Sequence, residues 1–278
     1  MAARDTHRKA ALTWRSATLA LVGLGALAVT AERLWLAARL PFWLDESWTA
    51  AIVSAPGWRA FWREVYLDVN APLYYVLMRL WSAVFGLSDL ALRAPSVIWV
   101  ALAAGVAASA RLQGVSRDAR LTWAALLFFW WGVGNFLDAR CYGLLLAIGA
   151  FQCVAFGRLM QAPSTRKAAI WVGACALALL TQYYAVFACV AQGLVYLGVH
   201  RGRAARSWPA LLGLAPALGW IAFHAPRLMQ YAQPDVAWHP RVDALLALDF
   251  SSFTIGAMSL PLSAAAVLGS PPPAWRLA

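Results

Sequence analysis

The sequence predicts an all-α integral membrane protein: a polytopic helix bundle of about 8 spanning helices, with interfacial helices in its first outer loop. Three observations carry this. First, 62% of the 278 residues are hydrophobic and only 13% are charged, against roughly 25% charge in an average soluble domain. A mean hydropathy of +0.63 fits lipid as the main solvent. Second, sixteen tryptophans are present, and indole rings favour the membrane–water boundary. Third, the net charge of +11 is gathered in short clusters between apolar runs. They are Arg4, Arg8, Lys9 and Arg15; Arg111, Arg117 and Arg120; Arg166 and Lys167; and Arg201, Arg203 and Arg206. Clusters of this kind mark cytoplasmic loops, so the basic excess reads as topology and not as a nucleic-acid surface.

A span needs about 20 mostly apolar residues. In chain order the candidates are 16–35, 91–110, 120–137, 142–160, 168–181, 183–199, 208–225 and about 257–269. The first follows a basic tail without a cleavage site and reads as a retained anchor with the N-terminus inside. The short apolar run 72–87 carries Arg79 in its middle. Counting it as a span would put the basic loop 111–120 outside, so it is expected at the interface, with Arg79 snorkelling to water. Two outer loops result, 36–90 and 226–256, within a single module over 1–278. The chain is expected to lack the C-terminal part of a longer module. Cys141, Cys153, Cys175 and Cys189 lie in apolar stretches and suggest neither a disulfide framework nor a zinc site.

Four polar clusters fall on the outer face under this topology. Asp45 and Glu46 follow the first span; they read either as solvated loop acids or as a base and cation ligands. Asp68 and Asn70 precede Pro72, where they either cap the next helix or face Asp45. Asp138, Arg140 and Tyr142 follow the span 120–137; Arg140 is either a snorkelling anchor or a bidentate phosphate binder, and Asp138 its partner or a second acid. Gln182, Tyr183 and Tyr184 form the next outer turn, as belt residues or as sugar and phosphate contacts. His224, Arg227 and His239 lie near or in the second outer loop, and two distant histidines are weak evidence for a metal site. Ser47 has no nearby base, and no Gly-rich phosphate loop is present. The convergence of four clusters on one side is the case for an active site.

At these residues the sequence resembles a family. The ordered set Trp43-Leu44-Asp45-Glu46-Ser47-Trp48, Asp68-x-Asn70-x-Pro72-Leu73-Tyr74-Tyr75, Phe85-Gly86-x-Ser88, Arg93-x-Pro95-Ser96, Ala139-Arg140-x-Tyr142 and Gln182-Tyr183-Tyr184 resembles the GT-C glycosyltransferases. The branch in view contains protein O-mannosyltransferases and aminoarabinose lipid A transferases, and the likeness covers roughly residues 35 to 200. The resemblance implies a sugar transferase of the bacterial inner membrane with its site facing the periplasm. Its donor is a polyprenyl-phosphate sugar and its acceptor a lipid, glycan or protein. Asp45 acts as base or cation ligand with Glu46 beside it, and Arg140 and Tyr142 hold the donor phosphate. Asp68, Asn70, Asp138, Tyr183 and Tyr184 contact substrate. A divalent cation, Mg or Mn, is at most an auxiliary, held by Asp45 and Glu46. Asn70 and Gln182 stand where relatives often carry histidine. The alternatives are a transporter or flippase of lipid-linked intermediates, which predicts mid-membrane charges and an internal repeat, and an inactive truncated scaffold.

Overall fold

The computed structural model describes residues 2–129 and 138–231, and side chains over 20–129 and 138–231. Within these residues the chain is all-helical. The first helix, α1, runs over Ala2–Arg39, longer than the expected 16–35. Its apolar part, Ala20–Arg39, is long enough to cross a membrane. Three short helices then fill the first loop: α2 at Leu44–Ser54, α3 at Gly57–Leu67 and α4 at Pro72–Phe85. At 11, 11 and 14 residues none is long enough to span. Pro72 opens α4 at a position where its missing N–H costs nothing, and Gly86 ends it with φ 83°, a conformation that favours glycine.

The helix α5, Asp89–Ser109, begins at Ser88, whose side chain accepts the Ala91 N–H at 3.3 Å. It lies centrally, packing on α1, on α4, on α6 (Arg117–Phe129) and on α7 (Tyr142–Gln161). Its buried face is small (Val100, Ala103, Ala107), as is that of α7 (Ala150, Val154, Ala155). Small side chains let helices approach closely where the surrounding solvent is itself apolar. Toward the C-terminal end of α7 a Cβ on Gly157 would meet Leu112 Cδ1 at 2.9 Å, so the α5–α6 connection and α7 are fitted at a glycine. The helices α8, Thr165–Thr181, and α9, Ala185–His200, form a hairpin, turning at Gln182–Tyr184. After the one-turn α10, Gly202–Ala205, a 3-10 segment at Trp208–Leu214 runs into α11, Ala215–Tyr231.

Four helical stretches among the described residues are long and apolar enough to cross a membrane: Ala20–Arg39, Asp89–Ser109, Tyr142–Gln161 and Trp208–Tyr231. This is fewer than the eight expected. The predicted spans 168–181 and 183–199 form helices of 17 and 16 residues, about 25 Å long at 1.5 Å per residue and short of a 30 Å hydrocarbon layer. The span 120–137 is described only to residue 129, and 257–269 lies outside the described residues. The second loop, expected to begin at 226, begins no earlier than residue 232, because α11 continues through Pro226 to Tyr231; the rest of it, with His239, lies outside the described residues. Arg79 is half-buried and also donates to the carbonyls of Val53 at 2.8 Å and Ala55 at 2.7 Å, closing the C-terminal end of α2. Its guanidinium stands over Trp58 and Phe61, so α2, α3 and α4 form one body.

Candidate functional site

The first cluster divides into two roles. Asp45 and Glu46 are neighbours on a helix, so their side chains leave its axis in different directions. Glu46 turns inward and is fully buried. Arg93 of α5 meets it with two prongs: Nε donates to Oε1 at 2.7 Å and Nη2 to Oε2. The Ala139 N–H donates to Oε1 at 2.8 Å and the Trp43 N–H to Oε2 at 3.3 Å. Burial works to raise the Glu46 pKa, but the Arg93 and backbone hydrogen bonds outweigh it and hold the carboxyl below its ordinary value. Arg93 in turn donates to the carbonyls of Ala37 at 3.0 Å, Leu40 at 2.6 Å and Pro41 at 3.1 Å, which end α1. One turn along the same face, Ser96 Oγ donates to the Asp138 carbonyl at 2.7 Å. Arg93 and Ser96 thus fix both halves of the site against α5. With both its oxygens engaged, Glu46 has no place for a cation, and no group of three or more His, Cys, Asp or Glu able to hold a metal occurs among the described residues. A divalent ion shared by Asp45 and Glu46, the auxiliary that the resemblance allows, therefore does not fit this donor set.

Asp45 points the other way, toward Arg140. Its Oδ2 lies 3.2 Å from Arg140 Nη1, and that nitrogen also lies 3.4 Å from the Asp45 carbonyl. The pair is less enclosed than Glu46–Arg93, with the Asp45 side chain 33% exposed and Arg140 13%. The Tyr142 ring stands 5.8 Å from the guanidinium carbon. Burial opposes the charge on Arg140, but Tyr75, Asp45 and Tyr142 outweigh it and raise its pKa. Asp138 stands beside both pairs. Burial, with the charge of Glu46, pushes its pKa up to about 6, and Arg93 and Arg140 only partly offset this.

Linkage fixes the sign of a pH effect here. A carboxyl whose native pKa is raised above its ordinary 3.8 favours the folded state while protonated. That advantage is lost as pH rises from about 4 toward 6, and a constant cost remains above. Asp138→Asn removes the titration. The melting-temperature difference between wild type and variant is therefore expected to grow in the variant's favour from pH 4 to 6 and then level off. A difference independent of pH would show that Asp138 titrates normally.

The second and fourth clusters meet as well. Asp68 Oδ2 accepts from Tyr75 Oη and, at 3.0 Å, from Asn70 Nδ2. Gln182 Nε2 reaches Asn70 Oδ1 at 3.4 Å and Cys141 Sγ at 3.8 Å, while its Oε1 accepts the Tyr183 N–H at 2.9 Å. Asn70 and Gln182 are thus bonded to each other as amides. Tyr184 is not brought in: it is 72% exposed and begins α9.

His224, given little weight in the sequence, is fully buried and completes the network. Its Nε2 faces the Tyr66 carbonyl at 2.9 Å, which requires a proton on Nε2 and leaves Nδ1 to accept from Tyr183 Oη at 2.6 Å. Trp220 Nε1 donates to Tyr183 Oη at 2.8 Å. Burial and the Asp68 charge push the Tyr183 phenol up to about 12, so it remains a donor. Arg227 Nε donates to the Leu67 carbonyl at 3.0 Å. Together His224 and Arg227 clasp the last turn of α3, immediately before Asp68. His224→Ala is expected to cost about 1–3 kcal/mol, because it leaves the part-buried Tyr66 carbonyl without its donor and the Tyr183 O–H without its acceptor. Hydrogen exchange should quicken over residues 66–70 and stay unchanged in α5; uniform quickening would count against a local clasp. A lone histidine near a span end carried no signal of this, because its partners are 158 and 41 positions away.

A second polar cluster lies inside the bundle. Gln152 Nε2 contacts Gln192 Oε1 at 3.1 Å, with Cys175 and Cys189 sulfurs at 3.4 and 3.5 Å, and Trp171 Nε1 donates to Gln192 Oε1 at 2.7 Å. It is uncharged and separate from the acids.

No protein-family model, curated protein or solved structure matches this chain.

Proposed function

We propose that the chain is a membrane glycosyltransferase of the GT-C type. It moves a sugar from a polyprenyl-phosphate donor to a lipid, glycan or protein acceptor at the outer face of a bacterial inner membrane. The observation that carries this is the juxtaposition of Asp45 and Arg140, a carboxylate and a guanidinium from clusters 95 positions apart, at 3.2 Å. Such a pair supplies the two functions the transfer needs. A carboxylate accepts the proton of the acceptor hydroxyl. A fixed guanidinium stabilises charge that grows on the leaving phosphate.

In this function Glu46 is a positioning residue, since Arg93 and two backbone N–H groups occupy it. Asp68, Asn70 and Tyr183 form the polar wall near which the sugar sits, and Tyr142 flanks the phosphate. The N-terminus is cytoplasmic. Trp43, Trp48, Trp58 and Trp62, all exposed on the first loop, lie in the headgroup layer, where indole is favoured. The Gln152–Gln192 cluster is the one feature that favours a transporter of lipid-linked intermediates. It lacks the charges that coupled transport through a bundle commonly uses.

The test is transfer. Membranes or proteoliposomes holding the full chain are supplied with a panel of labelled polyprenyl-phosphate sugars, and product is sought in lipid, glycan and protein fractions. Transfer by the wild type is expected, with a donor KM raised about tenfold in Arg140→Lys through loss of the planar fork. Absence of transfer across the panel by folded protein, or an Arg140→Lys variant kinetically identical to wild type, would remove the assignment.

A further inference from the structure

Two carboxylate–guanidinium pairs stand side by side, and they are built differently. Glu46–Arg93 is bonded through two prongs and sealed by the Trp43 and Ala139 N–H groups and three carbonyls, with side-chain exposures of 0% and 9%. Nothing entering from solvent can replace Glu46 without unpairing several buried groups. Asp45–Arg140 is joined through Nη1 alone, at 3.2 Å, with exposures of 33% and 13%. A partly exposed carboxylate joined through one nitrogen exchanges partners more readily than a sealed, two-pronged one. A phosphate monoanion or diester presents two oxygens to the guanidinium fork, a stronger match than one carboxylate oxygen. Exchange keeps Arg140 neutralised throughout, and the charge it sets free is that of Asp45, whose side chain is a third exposed to water.

Resting on the transferase function proposed above, we infer that the Asp45–Arg140 pair is a latch opened by the donor: the lipid phosphate takes Arg140, and only then is Asp45 free to act as base. In the resting protein the guanidinium occupies the Asp45 carboxylate and fixes its direction. Once phosphate holds Arg140, the released carboxylate is free to face the acceptor hydroxyl. The acceptor O–H bond then breaks with its proton passing to Asp45. The acceptor oxygen bonds the anomeric carbon. The bond from that carbon to the phosphate oxygen breaks, and its electron pair stays on the phosphate, which Arg140 retains. Polyprenyl phosphate leaves, Asp45 gives its proton to water, and the ion pair re-forms. Donor therefore binds before the acceptor is deprotonated, and an acceptor arriving first meets a masked base.

The test separates the latch from the function it rests on, because it reads binding. The full chain in nanodiscs is titrated with a polyprenyl monophosphate, and folding of each variant is checked by its melting transition. Asp45→Asn removes the competitor for Arg140 and is expected to bind the probe roughly two- to tenfold more tightly than wild type. Asp45→Ser should do the same, guarding against a peculiarity of asparagine. Arg140→Gln should lose binding. Asp138→Asn removes a neighbouring negative charge without freeing Arg140 and should gain less. Unchanged or weaker binding in both Asp45 variants, with binding lost in Arg140→Gln, overturns the latch and leaves the phosphate site standing. An equal gain in Asp138→Asn reduces the effect to net charge and also overturns it. Unchanged binding in Arg140→Gln overturns the phosphate site and the latch together. Inorganic phosphate is expected to bind far more weakly; equal affinity for it, with the same response to Asp45→Asn, would overturn the lipid as ligand.

Discussion

Replacing Glu46 with alanine is expected to lower the stability of the folded chain by about 3–5 kcal/mol, the range for removing one partner of a buried ion pair. The cause is less the loss of attraction than what remains. Arg93, at 7% exposure, would keep its charge inside the bundle, and the Ala139 N–H would lose its acceptor. Glu46→Gln keeps an acceptor for one of them and should cost less. Arg93→Ala alone should cost as much as Glu46→Ala, while the double variant should cost clearly less than the two together, since removing both leaves no bare charge. Thermal or denaturant unfolding in detergent measures all four. Additive losses would mean that the two side chains act independently, contrary to their two-pronged contact.

Asp45→Asn should leave stability nearly unchanged and lower the turnover of sugar transfer by roughly 10²–10⁴, the usual contribution of a positioned general base. The contrast with Glu46 follows from the two environments. Asp45 is a third exposed and its one ion pair is weak, so its loss disturbs little packing. The comparison is made in one set of membranes, with melting and transfer measured on the same preparation. A turnover within a factor of two of wild type would remove Asp45 as base and leave Asp138, the raised carboxyl beside it, as the candidate.

The helical membrane character was legible because hydropathy and charge clustering are properties of composition and need no long-range information. So was the convergence of the four clusters: Asp45, Asp68, Arg140 and Gln182 are tied by contacts on one side of the bundle. The different fates of Asp45 and Glu46 were not legible. Adjacent carboxylates look alike in a sequence, and what separates them is Arg93, 47 positions away. Arg79 shows the same limit, because the carbonyls it closes become visible only when α2 ends where it does. His224 was passed over because isolated histidines are common and its partners lie in α3 and in the α8–α9 turn. Span counting overestimated because apolar composition continues through α8 and α9 even though their helices stop at 17 and 16 residues.

The Arg93 junction also sets a timetable for biogenesis. When α1 and the three short helices after it have been synthesised, the carbonyls of Ala37, Leu40 and Pro41 and the carboxylate of Glu46 still await the side chain that binds them. That side chain arrives with α5, and the last donor to Glu46 arrives only with residue 139. Until a segment nearly one hundred residues downstream has been made, Glu46 is an acid whose partners do not yet exist. The sealed pair can therefore close only late in synthesis, after α5 and residue 139 are both in place.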